Sequence, residues 1–389
     1  MLILPRKNCP VLSGILSPDF LRKRGLRTVF YLQIFLCLGM CSGREEQVAL
    51  VTSFENSTNR NGIEAKNGAL LAQDEINISG GIAGTKIKIV LFDDCNSMEK
   101  SSAVSYRLQQ NNFRLAVLHS SSRLNKNLAD TLKSKNILLI SSSENDEESI
   151  NPNLVIVAPQ AKARADILAD YANKRNYRRV LVIPDSSHQP FCESFMRYFT
   201  DAKKNIGIIE RRVYKSGEDL PGIFSEAYIK SPDAVLILAE TRNIAVISQF
   251  LKIRGFTKPI LASNESMSDE LLSIGGRHSS GIIFPDFLKN ISEYDENLIF
   301  REKYILRYGE EPTFSSYMAY DSLIILKKSF SGAKTPLSET SVSSIRSIII
   351  GKQFFETPSG KFSINNYGQC ERKLSLFKTM EGHFEKILF

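Results

Sequence analysis

From Gln47 onward the chain alternates between short β-rich runs and amphipathic stretches, and this order limits its fold more than any other feature. Residues 48–54 read VALVTSF, apolar enough for a strand buried on both faces. Residues 61–77 then carry Ile63, Leu70, Leu71 and Ile76 at helical spacing. The SGGIAG run at 79–84 ends that helix, because glycine accepts the positive φ of a helix C-cap. TKIKIVLFDD (85–94) alternates with period two and leads into two carboxylates. The pattern predicts further strands at 113–119, 136–140, 178–185, 207–214, 233–240 and 258–263. It predicts helices at 124–135, 163–175, 191–204 and 243–255. A βαβα order of this kind implies parallel sheets covered by helices on both faces. After helices near 293–308 and 316–330, the stretch from Lys361 to the end reads as hairpins, with turns at NNYG (365–368) and EGH (381–383).

The 389 residues suit two domains or lobes. With 42% apolar and 24% charged residues, the composition is that of a globular chain, neither disordered nor polytopic. The formal net charge is +8, but residues 1–40 hold six basic residues against one acid. The remaining 349 residues therefore carry only +3 and no long basic run, which argues against a nucleic-acid partner. Residues 29–40, VFYLQIFLCLGM, form an apolar core of a dozen residues behind the basic cluster Arg22, Lys23, Arg24 and Arg27. A spanning helix needs about 20 apolar residues, so residues 1–41 read as a secretory signal peptide. The expected location is the periplasm.

Leu38-Gly39-Met40-Cys41 resembles a bacterial lipobox, with Met at the position of the usual small residue. Two processing routes stay open: lipidation of Cys41 with anchoring to the membrane, or plain cleavage near Ser42 or Gly43. The cysteines and histidines are scattered, with no CxxC pair and no metal-ligand spacing, so no metal and no cofactor are expected. A G-x-S-x-G elbow is missing as well. Gly80, Gly81 and Gly84 lack the order of a nucleotide loop and do not open a helix. The chain is therefore expected not to be an enzyme.

In open α/β sheets ligands sit at the carboxyl ends of the strands. Those ends are rich in hydroxyls here: Ser120-Ser121-Ser122, Ser141-Ser142-Ser143, Ser186-Ser187 and Ser263. Hydroxyls beside the free N–H groups of a helix start suit a small anion, although any one serine is also an ordinary N-cap. Asp93 and Asp94 precede Asn96 and Ser97 and read as caps of the next turn and helix.

The segment AKNGALLAQDEINISGGIAGTKIKIVLFDDCNS (65–97) resembles the first βαβ unit of the type I periplasmic solute-binding proteins of the leucine/isoleucine/valine-binding group. The hydroxyl-rich end at Ser120–Ser122, ILLISSSEN (137–145), the strand from Asp233, the Tyr320-Asp321 pair and the Gly360…Asn365-x-x-Gly368 turn follow in the family's order. The resemblance implies two Rossmann-like α/β lobes with parallel sheets, joined by a three-segment hinge. Residues 46–158 and 286–352 would form lobe 1, and 159–285 and 353–389 lobe 2. It further implies that Ser120, with Ser121 and Ser122 beside it, holds the α-carboxylate of an amino-acid-like ligand. Ser143 and Asn145 fall on the next contact positions. His188 stands nearest to the family's missing Tyr, and Glu265 meets the ammonium. The implied function is capture of a small polar or amino-acid-like solute for an inner-membrane ABC importer. A ligand-sensing module of a signalling system is the alternative.

Overall fold

A computed structural model describes residues 44–389 apart from 56–59, 144–150, 187–188, 203–206, 212, 216–219, 264–268 and 288–294. Cys41, Asn145, His188 and Glu265 lie outside the described residues. The first sheet has the order β2-β1-β3-β4-β5 and is parallel throughout. Its strands are β1 (Glu45–Thr52), β2 (Lys86–Asp93), β3 (Leu115–His119), β4 (Leu138–Ser141) and β5 (Leu154–Ile156). Central β1 and β3 are shielded on both faces, which is why VALV and LAVLH are unbroken apolar runs rather than alternating ones. The helices that connect these strands are α1 (Arg60–Ile78), α2 (Met98–Gln110) and α3 (Ser122–Leu132).

The end of α1 follows from its glycines. Gly81 has φ +81 and its N–H reaches Ile76 O at 2.8 Å. A Cβ at this position would stand 2.3 Å from Thr85 O. Gly68 serves a different purpose: it lets α1 lie against α10 (Phe314–Ser329), where a Cβ would meet Ser316 O at 2.1 Å.

The second sheet has the order β15-β14-β10-β9-β8-β6-β7. β6 (Arg179–Pro184), β7 (Gly207–Arg211), β8 (Ala234–Leu238), β9 (Ile260–Ala262) and β10 (Ile282–Asp286) run parallel. β14 (Ser375–Met380) and β15 (His383–Ile387) close the edge antiparallel. Successive side chains leave a strand on opposite faces, and the burial pattern shows it. Val180, Val182, Leu236 and Leu261 pack with α4 (Ala161–Lys174) and α5 (Gln189–Ala202). Leu181, Ile183, Val235 and Ile260 pack on the other face with α7 (Thr241–Ile253). α6 (Leu220–Lys230) and α8 (Asp269–Gly275) complete the connections.

The remaining elements are α9 (Asp295–Tyr308), α11 (Val342–Ile350), β11 (Phe355–Thr357), β12 (Gly360–Ile364) and β13 (Cys370–Arg372). The last three strands form a small antiparallel sheet. The hydrophobic residues collect into one cluster on the first sheet and one on each face of the second. The chain passes between the two regions three times: between Ala158 and Ala161, between Phe284 and Phe287, and between Cys370 and Leu376. The third passage falls later than the 352/353 boundary expected from the sequence. Phe355, Phe362, Ile364 and Cys370 belong to the first cluster. The Gly368 carbonyl accepts the Ile156 N–H at 2.7 Å, which ties this small sheet to the β5 edge. Among the described residues no helix is long and apolar enough to cross a membrane.

Candidate functional site

The carboxyl ends of β1 to β4 converge on one corner of the first lobe, and hydrogen bonds link many of the polar groups there. Parallel pairing sets Thr52 beside Asp93 on one side and His119 on the other. The Thr52 hydroxyl donates to His119 O at 2.7 Å. Asp93 accepts the Glu55 N–H at 2.7 Å and the Cys95 N–H at 2.7 Å, and Asp94 accepts the Asn96 N–H at 3.0 Å. The two aspartates thus cap the turn into α2, as the sequence suggests. Cys95 and Asn96 hold φ +48 and +53 in that turn.

Asp94 does more than cap. It is fully buried, and its second oxygen accepts the hydroxyl proton of Ser120. Burial pushes its carboxyl above the ordinary range, against the two hydrogen bonds it receives. The next strand end is organised in the same manner. Ser141 donates to Ser143 O at 2.9 Å, Ser142 to Leu118 O at 3.1 Å and Ser143 to Ser120 O at 2.8 Å. Buried His119 sets Nδ1 at 2.9 Å from Ser142 Oγ, and burial drives its imidazole down to about 4. Either the imidazole or the Ser142 hydroxyl, which also reaches Leu118 O, supplies the proton of this contact according to the His119 tautomer. Asn125, on α3 and fully buried, gives its amide to Ser143 Oγ at 2.6 Å and Ser141 Oγ at 3.4 Å. Among the described residues its carbonyl oxygen has no partner. Ser121 is the N-cap of α3, but its side chain does not take the free N–H groups of the first turn.

Of the residues singled out in the sequence, Ser120, Ser121, Ser122 and Ser143 therefore share this corner. Thr52, Asp94, His119 and Asn125 join them, and the Asp-Asp pair at a strand end was the available signal for Asp94. In the second lobe Asp185 closes β6 and is held by Asn243 Nδ2 at 2.6 Å. Ser263 is buried at the end of β9, and among the described residues its hydroxyl has no partner. Helix α3, which opens at Ser122, touches α5, which follows the Asp185 strand end. The helices that begin at the two sets of strand ends are therefore neighbours.

Two other features lie outside this arrangement. Glu55, Asp93 and Cys95 bring one ligand atom each within 4.8 Å of one another. Both Asp93 oxygens already accept backbone N–H groups, however, and Cys95 Sγ takes Lys100 Nζ at 2.9 Å. A pocket of about 410 Å³ opens on the first lobe among α1, α9 and α10. Its polar groups are engaged, with Tyr320 OH on Glu75 at 2.8 Å, Lys328 on Glu296 at 3.0 Å and Lys327 on the Ser79 hydroxyl at 2.6 Å. It is away from the strand ends.

Two α/β lobes, crossed three times by the chain and carrying polar groups at their strand ends, define the class of two-lobed α/β binding proteins. The profile of a family described as periplasmic binding protein matches residues 47–383, and the chain belongs to that family. Solved structures share its type I fold. The branched-chain amino acid transporter substrate-binding protein LivJ of Streptococcus pneumoniae, in complex with isoleucine, is 20% identical at TM-score 0.75, covering 88% of this chain and 99% of its own. The leucine-binding protein LivK of Thermotoga maritima is 20% identical at TM-score 0.76, covering 88% and 98%. A solute-binding protein of a Rhodopseudomonas palustris ABC transporter, in complex with 3,4-dihydroxybenzoic acid, is 17% identical at TM-score 0.74, covering 89% and 96%. No relative is found among curated protein sequences.

Proposed function

We propose that this chain is an exported solute-binding protein that captures a small polar or amino-acid-like ligand between its two lobes and delivers it to an inner-membrane ABC importer. The observation that carries the reading is the corner at Ser120, Ser121, Ser122 and Ser143, where polar groups and the start of α3 meet beside a helix of the second lobe. Lobe 1 comprises residues 45–158 and 287–374, and lobe 2 comprises 159–286 and 375–389. Asn145, two positions after Ser143 in the sequence, and His188 and Glu265 are the further ligand contacts of this reading. The work is binding and hinge closure: a ligand that touches both lobes binds the closed form better and draws the equilibrium toward it. The leader directs the chain to the periplasm, with processing at or before Cys41 and, when Cys41 is lipidated, a membrane anchor.

Native mass spectrometry of the protein purified from its own cells tests the reading. A discrete mass excess that disappears on denaturation is expected, since tightly held ligands survive purification. Absence of any bound small molecule, together with no binding from a library of small polar solutes, would overturn it.

A further inference from the structure

The pocket among α1, α9 and α10 stands apart from the strand ends and has a chemistry of its own. Its volume of about 410 Å³ lies within the range of small-molecule sites. One wall is apolar. Phe300 on α9, Ile324 on α10 and Phe330 at the end of α10 line it, and all three are buried. The Phe300 and Tyr320 rings pack with centroids 4.6 Å apart, so part of this wall is aromatic. Ile299 lines the same pocket with 51% of its surface exposed. An apolar body laid against such a wall is driven there by the water it displaces.

The rest of the lining is charged, and the charges do not cancel. Glu75 pairs with Lys303 at 3.0 Å, and Glu296 pairs with Lys328 at 3.0 Å. Lys327 is left over. Among the described residues it has no carboxylate partner, and its Nζ donates to the Ser79 hydroxyl at 2.6 Å. That hydroxyl is neutral and passes its own proton to the Glu75 carbonyl at 2.7 Å. Two of the three ammonium protons of Lys327 remain for an acceptor. Lys327 and Lys328 also occupy the last turn of α10, where a cation suits the helix dipole. That role needs only the charge and is indifferent to what enters the pocket.

We propose that this pocket is a second binding site, separate from the cleft between the lobes, and that it takes a small monocarboxylic acid with an aromatic or branched apolar body. The body lies against Phe300, Ile324 and Phe330, and the carboxylate meets Lys327. Glu75 and Glu296 line the same space, so a second carboxylate on the ligand would be repelled. The proposal stands independently of the interlobe reading.

The test is titration calorimetry of the full chain with benzoate, 3-phenylpropanoate and 4-methylpentanoate, each beside its neutral carboxamide. Titrations are run on the chain as purified and on the chain stripped of co-purifying solute. At least one acid should bind both preparations with the same affinity, and about tenfold or more tighter than its carboxamide. Lys327→Gln should remove that preference and leave the carboxamide binding as it was. Ile299→Asn, at a half-exposed position, should weaken acid and carboxamide alike, because it sets a polar group on the apolar wall. If Lys327 serves only the helix end, Lys327→Gln would lower stability and leave the ratio of acid to carboxamide unchanged, which would overturn the proposal. Equal binding of acids and carboxamides by the parent chain, or no binding of any probe at millimolar concentration, would overturn it too. So would acid binding that appears only in the stripped chain and ignores Lys327→Gln, since the acids would then occupy the cleft. None of these failures touches the cleft reading, which native mass spectrometry tests separately.

Discussion

Acid should weaken this fold through His119, and the size of the effect follows from where the residue sits. Its imidazole is buried at the end of β3, Nδ1 facing Ser142 Oγ at 2.9 Å, and burial lowers its value from 6.5 to about 4. The folded state therefore keeps His119 neutral at a pH where the unfolded chain has already protonated it. A depressed value of this kind stabilises the fold above the unfolded value and loses that contribution as pH falls toward the folded one. From the two values the loss is about 2 kcal/mol by pH 5 and about 3 kcal/mol by pH 4. His119→Asn keeps an N–H for Ser142 and removes the titration. Raised carboxyls such as Glu46, Glu64 and Asp94 push stability in the opposite direction, but they are present in both proteins and cancel in the difference. Urea unfolding of parent and variant between pH 7 and pH 4 reads that difference. The variant should begin less stable because of the lost packing, and the gap should shrink by about 2–3 kcal/mol as pH falls. A gap that stays constant would refute the buried, neutral histidine.

Asp321, fully buried among the hydroxyls of Thr357 and Ser359, is raised by burial from 3.8 to about 6. Its folded form holds a proton that the unfolded chain has lost, so Asp321→Asn should gain about 2.4 kcal/mol on the parent as pH rises from 4 to 7, measured by the same unfolding series. Gly68→Ala forces a Cβ onto the Ser316 carbonyl, which should cost about 1–3 kcal/mol and lower the melting temperature. If Glu265 meets a ligand ammonium, Glu265→Gln should weaken binding about tenfold to a hundredfold by calorimetry, the equivalent of about 1.5–3 kcal/mol.

Much of the framework is legible in the sequence because buried parallel strands must be apolar on both faces. VALVTSF, FRLAVLH and DAVLILAE therefore announce β1, β3 and β8 directly. The helix at 342–350 is harder to read. VSSIRSIII is rich in β-branched residues, and only the burial of Val342, Ile345 and Ile349 on one face shows its helical period. The third passage between lobes was displaced for a related reason. Alternation in FET and GKFSI reports that one face of a strand is buried, but says nothing of which core buries it. At the site the serine clusters stand out as residue types at strand ends. The direction of each proton does not, because it depends on partners such as Thr52 and His119, or Asp94 and Ser120, that only the folded sheet brings together.

Small-angle scattering on the chain before and after its co-purifying ligand is stripped tests the central claim most directly. A ligand gripped between lobes that move about three chain crossings should give a smaller radius of gyration in the bound form, and restoring the ligand at saturation should recover it. A radius that is unchanged between the stripped and the saturated protein would contradict binding in the cleft.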